Sequence, residues 1–118
     1  MKKEERQKIY EKYKGRCAYC GNTIEYKDMQ VDHISSKYRS LRYDGKTHNE
    51  INSIKNYNPS CRMCNFRKGT MTIEEFREEI KKQAEREMER FQARMSVAYG
   101  LIEYYPDRNI TFYFEKRK

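Results

Sequence analysis

Four cysteines stand in two pairs, Cys17-Ala18-Tyr19-Cys20 and Cys61-Arg62-Met63-Cys64, and the dipeptide Asp32-His33 lies between them. Two C-x-x-C pairs in a short chain have the spacing to close one tetrahedral site of four thiolates, the chemistry of structural zinc. Such a clamp ties two distant stretches of chain together and holds His33 inside the tied segment. It accounts for the cysteines. It leaves three residues unexplained: a carboxylate (Asp32), an imidazole (His33) and the amide that directly follows the second pair (Asn65).

The elements that must position these residues follow from pattern. Residues 2–14 are rich in helix formers, carry Ile9, Tyr10 and Tyr13 on one side, and stop at Gly15, which predicts a short amphipathic helix. Cys17 to Gly21 reads as a metal-binding turn, and residues 28–34 as a short strand with Met29 and Val31 on one face. Residues 35–55 are polar, carry the Asp44-Gly45 turn signal and read as a long loop. Pro59-Ser60 opens a short helix, with Ser60 as its expected N-cap and Gly69 as its stop. Thr72-x-x-Glu75 resembles a capping box that starts a long helix over 72–99. Its stripe is Ile73, Phe76, Ile80, Ala84, Met88, Phe91 and Met95, and Gly100 ends it. Residues 101–105 and 110–114 alternate around Pro106-Asp107-Arg108-Asn109, a hairpin pattern.

Helical geometry sharpens one part of this. Cys61 and Cys64 are three apart and share a face, as joint ligation needs. Asn65 is one step on, rotated by about 100°. Arg62 and Lys68 lie three residues either side of it, so one face offers an oxygen donor between two cations. That face suits a metal-bound phosphate.

Composition sets the frame. Of 118 residues 36% are hydrophobic and 37% charged, so the core is small and a metal staple is expected. No apolar run approaches the roughly 20 residues of a membrane span. The polar start Met1-Lys2-Lys3-Glu4-Glu5-Arg6 leads us to expect a reducing, cytoplasmic compartment, which favours zinc thiolates over disulfides. The net charge of +8 is uneven: residues 1–70 hold 16 Lys+Arg against 8 Asp+Glu, and residues 71–118 hold 10 of each. A basic field confined to the segment with the Cys pairs points to a polyanionic partner, and DNA fits it.

Taken together, Cys17-x-x-Cys20, Val31-Asp32-His33-Ile34, Asn56, Pro59-Ser60-Cys61-Arg62-Met63-Cys64-Asn65 and Lys68-Gly69 resemble the zinc-containing branch of the HNH endonuclease family, over about residues 15–70. The resemblance implies an α+β fold with a ββα-metal core, two antiparallel strands and a helix around one divalent metal. It implies His33 as general base, Asp32 and Asn65 as ligands of a catalytic Mg²⁺ or Mn²⁺, and Asn56 as the residue that orients the histidine, with Asn58 as its rival. The stretch from His33 to Asn56 is longer than the family's compact spacing, so 35–55 reads as an insertion. Phages and mobile elements carry such enzymes, and a phage-encoded origin is the matching expectation.

The residue chemistry agrees with this. An imidazole, whose ordinary pKa lies near ~6.5, accepts a water proton at neutral pH. Hard oxygen donors suit Mg²⁺ or Mn²⁺, and such an ion polarises a phosphate. Arg39, Arg42, Arg62 and Lys68 are the expected contacts to the DNA backbone, and His48 is read as solvated. The organisation expected is residues 1–70 as the HNH core with its N-terminal helix and zinc site, and 71–118 as an accessory long helix and hairpin. The helix at 72–99 is expected to self-associate or to bind a protein partner. Two other classes compete: a non-catalytic zinc-ribbon module that binds DNA, and an assembly protein acting through the long helix.

Overall fold

The structure, a computed structural model, describes residues 1–42 and 44–116, and of residues 37 and 38 only the backbone. Seven α-helices and two strands occur among the described residues, in the order α1 (Lys3–Glu11), β1 (Gln30–His33), α2 (Lys37–Arg42), α3 (His48–Ile51), β2 (Tyr57–Ser60), α4 (Arg62–Lys68), α5 (Ile73–Glu87), α6 (Phe91–Ala98) and α7 (Tyr113–Lys116). This is an α+β fold. The chain divides into two compact units, Met1–Ile73 together with the segment that begins at Thr111, and Glu74–Ile110.

In the first unit β1 and β2 pair antiparallel, with Asp32 opposite Asn58 and His33 opposite Tyr57. The ladder continues one step further, where the Ile34 amide donates to the Asn56 carbonyl at 2.8 Å. Ile9, Met29 and Tyr57 form a buried cluster, extended by Tyr10, Ile24 and Val31. Met29 and Val31 both join this cluster, the shared face that their alternation predicts, with α1 supplying the cover. Polar side chains fasten the cover. Arg6 donates to the carbonyls of Tyr26 and Met29 at 2.9 and 3.0 Å, and Lys12 donates to the Tyr57 carbonyl at 2.8 Å.

The stretch 35–55, expected as a loop, folds instead into α2, α3 and a 3₁₀ turn at Ile54–Asn56. The signal lay in Thr47 and Glu50, which form a complete capping box at the start of α3. Pro59 and Ser60 lie in β2, so the cap of α4 is Cys61, whose sulfur accepts from the Cys64 amide at 3.4 Å. Gly69 ends α4 with φ of +51°, a backbone that only glycine adopts without strain.

In the second unit the helix expected over 72–99 is two helices. Glu89 and Arg90 form tight i→i−3 bonds, and Arg90 then takes an extended backbone. Arg94 stabilises the break by donating to the carbonyls of Met88 and Glu89, both at 2.8 Å, which serves acceptors that the end of α5 leaves open. Neither Gly nor Pro marks this position, so pattern alone runs through it. Gly100 closes α6 as expected: its amide bonds the Val97 carbonyl at 3.0 Å and the Leu101 amide bonds Ser96 at 2.9 Å, a Schellman motif.

The hairpin expected over 101–114 does not form. Residues 101–112 contain no strand, and the chain ends its described part in α7. The aromatic residues that gave the alternation are used within the first unit. The amides of Tyr113 and Phe114 donate to the carbonyls of Tyr19 and Ala18 at 3.0 and 2.8 Å. Phe112 and Phe114 set their faces near the edge of the Tyr19 ring, 5.4 and 5.9 Å between centroids. No helix among the described residues is long and apolar enough to cross a membrane.

Candidate functional site

The four cysteines converge. Cys17 and Cys20 come from the turn after α1, Cys61 and Cys64 from the start of α4, and their sulfurs all lie within 4.8 Å of one another. Cys20 and Cys61 Sγ are 3.9 Å apart. A tetrahedron with metal–sulfur bonds of ~2.3 Å has edges of roughly this length, so the set fits one zinc-sized soft cation. The Tyr19 and Cys64 amides donate to the sulfurs of Cys17 and Cys61, both at 3.4 Å, which favours thiolates. The Cys64 thiol, hydrogen-bonded to Cys17, is the main reason that the Cys17 sulfur is pulled down to about 4. Burial pushes Cys20 up to about 11.

The cluster sets the phase of α4, and α4 then meets β1. Cys64 and Lys68 face inward. Lys68 is fully buried and its ammonium lies 3.1 Å from Asp32 Oδ2, while it also donates to the His33 carbonyl at 2.9 Å. Tyr19, between the first two cysteines, donates its hydroxyl to the same Asp32 oxygen. Behind it the Asn58 amide donates to the Tyr19 oxygen at 3.4 Å and the Asn58 carbonyl oxygen accepts from Lys12 at 3.2 Å. Burial, and then the charge of Asp32, hold the Tyr19 phenol well above its ordinary range, so it stays a donor. Burial pushes the Asp32 carboxyl up, against the pull of Lys68 and then of Tyr19.

His33 ends β1 and is half-buried. Its ring meets the Tyr57 ring edge-on at 5.1 Å, and its Nε2 lies 3.3 Å from Asn52 Oδ1. The amide oxygen facing it favours the tautomer with the proton on Nε2, in which Nδ1 is the nitrogen left to accept one. Asn52 was not among the residues singled out from sequence, because a single Asn in a polar stretch carries no spacing signal. Asn56 does a different task from the one expected. Its side chain accepts from the Ser35 amide at 2.9 Å and donates to the carbonyls of Ser35 and Ile51 at 3.0 and 2.8 Å. It locks the backbone on either side of α2 and α3 and leaves the His33 ring to Asn52. Asn58, the rival, is fully buried on the Tyr19 side.

The remaining expected residues scatter. Asn65 lines an open cleft with Gln30, Arg62, Met63 and Phe66. Arg62 is exposed on that cleft. Lys68, expected beside it, points inward to Asp32 and offers nothing to a ligand at the surface. Arg39 is half-buried, with its Nε donating to the Thr70 carbonyl at 3.0 Å, and Arg42 is exposed on α2. Lys46 and Lys55 line a second open cleft with Ile34, Asn49 and Asn56. His48 is exposed at the first position of α3.

The donor types of Asp32 and Asn65 fit a hard divalent cation, but as folded the Asp32 carboxylate belongs to Lys68 and Tyr19. A second cation reaches it only by displacing or sharing the Lys68 ammonium. Neither the curated proteins nor the solved structures contain a match to this chain. The segment that the cysteine cluster and the β1–β2–α4 arrangement organise is also the segment that matches a family model: residues 17–70 match that of the HNH endonuclease.

Proposed function

We propose that this chain is a DNA endonuclease that hydrolyses phosphodiester bonds, with His33 as the general base. An HNH domain suggests a nuclease or a DNA-binding role. The observation that carries the catalytic reading is the His33 imidazole, half-buried at the end of β1 and held by Asn52 on one nitrogen and by Tyr57 on its edge. An imidazole fixed in that way presents one nitrogen to an attacking water and takes its proton. The net charge of the first 70 residues draws the polyanion, and Arg62 and Arg42 are exposed to meet its phosphates.

The four cysteines would hold zinc as a structural ion. Asp32 and Asn65 would hold magnesium or manganese once Lys68 gives way. Such an ion supplies Lewis-acid polarisation of the phosphate and charge for the leaving oxygen. Purified protein incubated with supercoiled plasmid should nick or linearise it with Mg²⁺ or Mn²⁺ present and stop when EDTA is added. The His33→Ala variant should bind the plasmid and leave it intact. Nicking by that variant at the normal rate sinks the assignment.

The Lys68–Asp32 pair favours one second reading. A carboxylate already neutralised by a buried ammonium is what a non-catalytic, DNA-binding HNH domain would keep. That reading expects plasmid binding with no cleavage at any Mg²⁺ or Mn²⁺ concentration. For the second unit, the exposed Phe91, Met95, Tyr99 and Leu101 support self-association, which light scattering at rising protein concentration tests.

A further inference from the structure

Helix α4 is inverted relative to an ordinary surface helix. Its inward face carries Lys68, fully buried, and its outward face carries Met63 and Phe66, 67% and 85% exposed. Among the described residues of the first unit, no other large apolar side chain stands as far out as Phe66. The inversion has a cause. The cysteine cluster fixes which side of α4 faces in, and the Cys64–Lys68 row goes to Asp32, so residues 62, 63, 66 and 67 must face solvent. The sequence then places on that face two apolar side chains between two arginines, Arg62 and Arg67, both exposed. Phe66 and Met63 also form one wall of an open cleft of about 580 Å³, whose other lining residues are Gln30, Arg62 and Asn65.

A lone exposed Phe is unremarkable. A Phe framed by guanidinium groups, on the basic unit, beside an open cleft, has a specific complement: a flat apolar ring carried on an anionic backbone. We propose that the outward face of α4 is a nucleobase-stacking site, in which Phe66 stacks on an unpaired or unstacked base of the bound DNA, Met63 flanks it, and Arg62 and Arg67 contact the adjacent phosphates. The inference rests on the nucleic-acid reading above and adds to it the mode of engagement. Base–aromatic stacking tolerates any base, because every base has a π-face. It therefore contributes affinity for distorted or single-stranded DNA without reading sequence. Gln30, which also lines the cleft, carries an amide that can meet a base edge.

The chain has no tryptophan, so Phe66→Trp introduces a single fluorescent reporter at the site. The full-length, zinc-loaded protein is titrated with a single-stranded oligonucleotide and with a duplex containing a mismatch, in EDTA-free buffer lacking added magnesium. Stacking quenches the new tryptophan. Phe66→Ala should weaken binding about 5- to 150-fold, the loss expected for one stacked base, while its salt dependence stays that of the parent. The double variant Arg62→Ala, Arg67→Ala should do the reverse and flatten the slope of log K against log salt by roughly 1.4–1.8. Full affinity in Phe66→Ala together with an unquenched tryptophan overturns the inference and leaves the nuclease reading standing. An oligomer of the parent that Phe66→Ala dissolves, with DNA affinity unchanged, also overturns it and assigns the face to a second copy of the chain. If the parent binds no DNA at low salt, the nucleic-acid reading itself falls and this inference with it.

Discussion

The first unit buries Asp32, Ser36, Ser40, Asn58, Ser60 and Lys68, while the second, Glu74–Ile110, buries Phe76 alone. Conversely, the second unit leaves Phe91, Met95, Tyr99, Leu101, Ile102 and Tyr105 about half exposed or more. One unit is held by specific long-range polar links: the cysteine cluster, the Lys68–Asp32–Tyr19 network, and the Asn56 clamp. The other has mainly local ones, such as Arg77–Glu74 at 3.0 Å and Arg90–Glu87 at 3.5 Å, along helices that propensity already favours, with one long-range link where Arg77 Nη1 donates to the Ile110 carbonyl at 2.5 Å. Buried polar links are costly to break singly, because the partner left behind is desolvated and alone. Exposed local pairs cost little. The two units should therefore respond to substitution on different scales.

The sharpest break is at the metal. Cys17→Ser or Cys61→Ser should abolish the cooperative fold of the first unit, since structural zinc contributes about 10–16 kcal/mol in small domains. Elemental analysis should find one zinc per parent chain and none in the variants. Zinc retention should also fall as pH is lowered, because protons compete with zinc for the thiolates. A variant that keeps zinc and a normal melting curve would refute the cluster.

Next in size is the buried pair. Asp32→Ala should destabilise by about 3–5 kcal/mol, because Lys68 is left as an unpaired buried ammonium. Adding Lys68→Met should restore most of that loss, and a thermal melt of both variants checks it. If the double variant is no more stable than the single one, the pair is not the link it is described as.

Two further substitutions act on rate. His33→Ala should leave the melt unchanged and lower plasmid cleavage by about 10²–10⁴-fold. Asn52→Ala should cost far less, on the order of fivefold, the worth of one hydrogen bond of about 1 kcal/mol. Its specific signature is in the ring: nitrogen NMR of His33 should shift from the Nε2–H tautomer toward a mixture. A tautomer unchanged by that variant would mean that Asn52 merely adjoins the histidine. The smallest effect is expected in the second unit, where Leu101→Ser at an 81% exposed position should stay within about 0.5 kcal/mol of the parent.

What was legible in advance divides along the same line. The cysteine pairs, the strand ending in Asp32-His33 and the Gly69 and Gly100 stops were readable, because spacing and backbone sterics constrain them locally. The direction of Lys68 was not readable. Its spacing of three from Asn65 places both on one face, and only the metal-set phase of α4 against β1 decides which side is inside. Asn56 was expected to orient His33, and its side chain instead binds backbone groups, partners that sequence does not show. The break at Arg90 and the missing hairpin failed for a common reason. Both depend on where a side chain finds its acceptor or its aromatic neighbours, Arg94 at the end of α5 and Phe112 and Phe114 at Tyr19, and not on the residues between them.

The return of the chain to the first unit after Thr111 has a consequence for how the protein is made. The carbonyls of Ala18 and Tyr19, next to the cysteine turn, are met by amides from Tyr113 and Phe114. A ribosome delivers these only after the whole of Glu74–Ile110. Until then the Cys17–Cys20 turn and the Tyr19 ring lack their aromatic cover, although both cysteine pairs have long since emerged. The metal can thus be captured early, while completion of the domain waits for the residues after Thr111. A nascent chain stalled before Phe112 would carry its zinc ligands and its histidine in an unfinished shell.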